Sequence, residues 1–226
     1  MANPKLEAYA LGNAAPLIPA AKGTAPPHHP ALAVQNDLAR LVLGTSRDAQ
    51  AAAASRTPAD VFLHLLSEYG ELAEEVSIAT GGSHKPEGAD GVVGEAIDVV
   101  LCAVDLLYVL ATTLQQPLPP DAFGTATDPL PRDDGTTPPH VGAVMGMLHP
   151  IGVVWSTLSH APRAQAQRES SVRGAHAALT HLVSDCLRVA TAAQPDLTAE
   201  TLLAVAARKC AKWRKAITQE GADHGA

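Results

Sequence analysis

Gly91-Val-Val-Gly-Glu95-Ala-Ile-Asp98-Val-Val-Leu-Cys102-Ala-Val-Asp105-Leu-Leu-Tyr-Val-Leu-Ala-Thr-Thr113 is apolar nearly all round. A helix with that pattern is central and buried. Its three acids are the exception: with Cys102 between them, Glu95, Asp98, Cys102 and Asp105 stand at the 0, +3, +7 and +10 spacing. Residues three or four apart share a helical face, so they form one stripe. A carboxylate on a helix with no solvated face must be neutralised, paired or metal-bound.

The stretch upstream answers it. Thr57-Pro58-Ala59-Asp60 is a helix start, with a Thr N-cap, Pro at the first helical position and an acid completing a capping box. That helix is predicted to run to about Thr80, where Gly81-Gly82 stops it. At about 100° per residue, His64, Glu68, Glu71 and Glu75 fall in a narrow stripe beside the apolar flank Val61, Phe62, Leu65, Leu66, Leu72, Ala73 and Val76. A polar loop, 81–90, follows, with Asp90 as the expected N-cap of the next helix. Two helices joined by a short loop pack antiparallel, which brings Glu68 and Glu71 to face Glu95 and Asp98. Four carboxylates so placed suit a hard cation that prefers oxygen ligands, Mg²⁺ first and Mn²⁺ as the alternative.

The expected class is all-α, a bundle of about five to six helices built around this acid-lined pair. With 226 residues the chain has 46% apolar content and only 3% aromatic residues, which favours close helix packing over a sheet. Residues 1–30, ending in Ala25-Pro-Pro-His-His-Pro30, have the composition of a disordered Ala/Pro-rich tail. A single domain is expected over 31–218. A first helix is predicted from Ala31 to about Leu43, closed at Gly44, followed by an Ala-rich piece at 48–55 that reads as either helix or loop. Residues 115–140 are a Pro-rich connection, either a plain linker or a lid over the acids. Further helices are predicted at 141–160, kinked or restarted at Pro150, and at 170–193, with 163–171 connecting them. His176 and His181, five apart, diverge on a helix and are not read as ligands. Pro195-Asp196-Leu197-Thr198 opens the last helix, whose seam is Leu203, Ala206, Cys210, Trp213 and Ile217. Residues 219–226 read as a flexible end.

A net charge of −7, from 16 basic and 23 acidic residues, offers no field for nucleic acid. Three widely spaced cysteines, Cys102, Cys186 and Cys210, read as buried thiols in a reducing compartment, so a cytoplasmic protein is expected. No stretch is taken to reach membrane-spanning length without charges, and no membrane partner is expected. Arg208, Lys209, Lys212, Arg214 and Lys215 form the one dense basic cluster. They either complement a helix dipole or meet phosphate. Lys209, Lys212 and the loop residue Lys85 are the candidate phosphate contacts.

Glu68-x-x-Glu71, 23 residues, then Glu95-x-x-Asp98, within Leu-Ser-Glu-Tyr-Gly-Glu-Leu-Ala-Glu-Glu and Gly-Glu-Ala-Ile-Asp-Val-Val, resembles the MazG-like superfamily of all-α nucleoside triphosphate pyrophosphohydrolases. Dimeric dUTPases, dCTP pyrophosphatases and phosphoribosyl-ATP pyrophosphohydrolases belong to the same group. The similarity covers about residues 57–114, with the basic end of the last helix as a further point of likeness. It implies Mg²⁺ on Glu68, Glu71, Glu95 and Asp98, a nucleotide substrate, and cleavage between the α- and β-phosphates. Many members carry a further Glu where this chain has Ser67, which leaves Glu75, or Glu74 next to it, as the nearest water-activating base. A homodimer is expected, because an acid-lined hairpin needs covering by more helices. Two competing readings are a di-iron carboxylate bundle, which needs Glu-x-x-His motifs this chain lacks, and a non-catalytic helical interaction protein that keeps the acid pattern.

Overall fold

A computed structural model of the protein describes residues 34–52, 56–118, 123, 139–160 and 164–223, with side chains to residue 217 in the last helix. The expected tail at 1–30 lies outside the described residues, as does most of the 115–140 connection. The described residues hold no strand; they form α1 (Gln35–Ala52), α2 (Pro58–Ala79), α3 (Gly91–Thr113), α4 (Pro139–Gly146), α5 (Leu148–Ser159), α6 (Gln165–Ala193) and α7 (Ala199–Asp223). Since α4 and α5 are two halves of one bent rod, the all-α bundle has six rods.

The central helix is α3, which packs against α2, α6, α1 and α7. Ile97, Val100, Val104, Leu106, Leu107 and Val109 are fully buried, and each contributes about 2 kcal/mol relative to exposure. Its partner α2 starts as the sequence predicts: Thr57 N–H donates to Asp60 Oδ2 at 3.0 Å, and Asp60 N–H donates to Thr57 Oγ1 at 3.2 Å. Leu65, Leu72 and Val76 of α2 close on α3.

Four boundaries differ from expectation. Gly44 does not end α1, which continues to Ala52. A helical glycine costs about 1 kcal/mol against alanine, and this is offset by packing on α7, since Thr45, Ser46 and Ala49 are buried and Arg214 Nε donates to Asp48 Oδ2 at 3.0 Å. The break in the 141–160 helix falls at Met147, three residues before Pro150. Proline lacks an N–H, and in the first turn of α5 none is needed. Helix α6 begins at Gln165 rather than Ser170, where Gln167 Oε1 accepts from Ala164 N–H at 3.0 Å. At the other end of the chain, α7 carries helix to Asp223, into the segment read as a flexible end, and 224–226 lie outside the described residues.

The expectation that no charge-free stretch reaches spanning length is corrected by His140–Ser159. These 20 residues, at mean hydropathy 1.5, are long and apolar enough to cross a membrane by length and composition alone. In the fold they pack one side on α6 and α2, with Tyr69 Oη donating to Val144 O at 3.2 Å and Phe62 stacked on Trp155 at 5.6 Å. Met145 and Leu148 stay exposed, as does much of Trp155 beside its stack on Phe62.

The lower end of the α3 stripe is tied by an ion pair. Arg56 Nη2 donates to Asp105 Oδ2, and the same guanidinium lies 5.4 Å over the Trp213 ring. Burial pushes the Asp105 carboxyl up, and Arg56 works against that shift. Removing one member of a buried pair strands the other charge, so Asp105→Ala is expected to cost about 3 kcal/mol in urea unfolding, and Arg56→Met with Asp105→Leu less than half of that.

Candidate metal centre

Antiparallel packing of α2 on α3 brings the two acid pairs together across the hairpin. Ligand-capable oxygens of Glu68, Glu71 and Glu95 lie within 4.8 Å of one another, and so do those of Asp90, Glu95 and Asp98. Glu95 belongs to both groups. Glu68, Glu95 and Asp98 are half-buried, while Glu71 and Asp90 are open to solvent.

Crowding of like charges in a partly dry cleft sets the electrostatics. Burial, then the charges of Asp98, Glu71 and Glu95, raise Glu68 from its ordinary 4.5 to about 7, with Lys209 pulling the other way. Glu95 is raised by burial and then by Asp98. Asp98 is raised by burial against the opposing hydrogen bond from Lys209. Lys209 Nζ donates to Asp90 Oδ2 at 2.9 Å and to Asp98 Oδ2. Burial works to lower Lys209, but its bonds to Asp98 and Asp90 outweigh it and the ammonium is held above its usual range. The same contact holds Asp90 below the usual carboxylate range.

The residues expected to act as base do not join the cluster. Glu75 is buried and faces the loop: its Oε1 accepts from Gly88 N–H at 2.9 Å, and a Cβ on Gly88 would sit 2.6 Å from that oxygen. Glu75 is therefore a clamp that closes the 81–90 loop onto α2. Glu74 pairs with Lys85 on the surface. Lys212 is exposed on α7, near enough to lower the Asp98 and Asp90 carboxyls.

Two residues of the region were not read as functional from the sequence. Asp90 has the position of an N-cap, yet its side chain makes no capping bond and turns to Lys209 instead. The signal was its place eight residues before Asp98, two helical turns along the same face. Arg56, next to the Thr57 cap, carried no comparable signal. Cys102, in the middle of the stripe, is a free thiol raised by burial and by the charges of Glu68, Asp105 and Asp98. Comparison with protein-family models, with curated proteins and with solved structures finds no match.

The donor set is all carboxylate oxygen, drawn from two helices and carrying more negative charge than Lys209 offsets; this fits a hard divalent cation. Because the fold favours protonated Glu68, its stabilising contribution is complete below 4.5 and lost as pH rises through about 7. Metal-free protein is thus expected to lose thermal stability between about pH 5 and about pH 8, and Glu68→Gln to flatten that decline. A steeper decline in Glu68→Gln than in wild type would contradict this account of the cluster.

Proposed function

We propose that the chain is a Mg²⁺-dependent nucleotide pyrophosphohydrolase that cleaves a (d)NTP or related nucleotide between its α- and β-phosphates. The observation that carries the reading is the convergence of Glu68, Glu71, Glu95 and Asp98 from two antiparallel helices, with Lys209 bound against one side. The MazG-like motif spacing supports the same reading. A bound Mg²⁺ would neutralise and polarise substrate phosphates. The chain's own residues would do the rest: Glu68, Glu71 and Glu95 would hold the ion, Asp98 and Asp90 hold Lys209, and Lys209 and Lys212 place positive charge on the α7 side, where phosphate oxygens need it. With Glu74 and Glu75 engaged elsewhere, the acceptor for the proton of the attacking water has to come from the cluster itself, where Glu71 and Asp90 are open to solvent and Asp90 is tied to Lys209.

The homodimer expectation needs a different footing. The acid-lined hairpin is covered by α7 of the same chain, so a second copy is not required there. The surface left for one is offered by α2, α4 and α5, where Leu63, Met145, Leu148 and Trp155 are exposed. That same surface is what favours the second reading, a helical interaction protein without catalysis.

A panel of NTPs and dNTPs with Mg²⁺, read by pyrophosphate release, separates the two. Activity is expected in wild type and a loss of at least about 100-fold in Glu68→Gln and in Asp98→Asn, as for removal of a group that stabilises charge in the transition state. Orthophosphate as first product excludes α–β cleavage. No cleavage together with no Mg²⁺ binding favours the interaction protein.

A further inference from the structure

The acid cluster has two lobes that share Glu95, and one of them already holds a cation. Glu68, Glu71 and Glu95 make one lobe; Asp90, Glu95 and Asp98 make the other. Lys209 reaches across from α7, 111 residues from Asp98 in the chain, and puts its Nζ between the Asp90 and Asp98 carboxylates of the second lobe. Its side chain is 11% exposed. The lysine stem runs beside Gly94, where an added Cβ would meet Asp90 Cβ at 2.4 Å and lie 3.6 Å from Lys209 Cε. Gly94 thus makes room for the Asp90 side chain, and Lys209 passes it at ordinary contact distance.

We propose that Lys209 is a built-in second cation: the site takes one divalent ion, in the lobe of Glu68, Glu71 and Glu95, and the lysine ammonium holds the place a second ion would occupy between Asp90 and Asp98. This rests on the reading of the cluster as a cation site. The physical case is one of competition. Charge-assisted hydrogen bonds to two carboxylates are strong, and releasing the ammonium would leave half-buried Asp98 without its partner. A divalent ion entering that lobe must displace a cation that the fold supplies at fixed position and that cannot diffuse away. The first lobe holds no such competitor: among the described residues, no ion pair to Glu68, Glu71 or Glu95 is formed.

A salt bridge that merely docks α7 predicts a different outcome, and counting ions distinguishes them. Mn²⁺ binding to the full chain is measured by equilibrium dialysis, with free Mn²⁺ followed by electron paramagnetic resonance. Wild type is expected to bind one ion, Lys209→Met two, and Lys209→Arg, which keeps the charge, one. Adding Asp90→Asn to Lys209→Met is expected to remove the gained ion and leave the first. Should Lys209→Met fail to fold, Lys209→Gln keeps polar contact without charge and carries the same expectation of two. Two ions on wild type, or one on a folded Lys209→Met or Lys209→Gln, overturns the proposal while leaving the metal-site reading intact. No ion on any of these proteins overturns the metal-site reading itself, and the proposal with it.

Discussion

Three carboxylates on a largely buried helix constrain the rest of the molecule. Helix α3 is enclosed by α2, α6, α1 and α7, yet its stripe carries Glu95, Asp98 and Asp105. Charge in such surroundings has to be met by charge. Asp105 is met by Arg56, whose guanidinium also covers Trp213 of α7, and Asp98 is met by Lys209 of the same helix. Two of the contacts that seat α7 against the hairpin are thus responses to acids on α3. The bundle closes where its negative charges are answered.

Compensation is incomplete at the hairpin's open edge, and this separates a structural stripe from a candidate site. Asp105 is buried with its partner, whereas Glu68 is pushed up to about 7 by burial and by three neighbouring carboxylates. A cleft left with excess negative charge costs stability in proportion to how far it is dried, and a divalent cation is the agent that removes that cost without moving the backbone. The same argument explains why Glu74 and Glu75 behave differently although they lie on the same helix. Each has its own partner, Lys85 for one and the Gly88 amide for the other, and each holds the connecting loop down.

The apolar surface offered by α2, α4 and α5 stands apart from this chemistry. Leu63, Met145, Leu148 and Trp155 are exposed, and His140–Ser159 carries no Asp, Glu, Lys or Arg.

Helix α2, its capping box and the apolar character of α3 could be read directly, because capping spacing and 3.6-residue periodicity are local. The facing of Glu68 and Glu71 against Glu95 and Asp98 also followed from sequence, since a short loop leaves two helices little choice but to pack antiparallel. What local rules could not supply was the partner of each charge. Gly44 looked like a stop because its cost is local, while the packing that offsets it comes from α7. Glu75 sat on the right stripe, but a stripe defines a direction only to within a turn, and the loop's return to Gly88 claimed it. Asp90 has N-cap chemistry by position, and only the arrival of Lys209 from 119 residues away turned it toward the cluster. The sequence by itself determined which helices form and which acids face each other; the tertiary structure decided which of those acids are already neutralised, because charge pairing acts through space between segments that no local pattern relates.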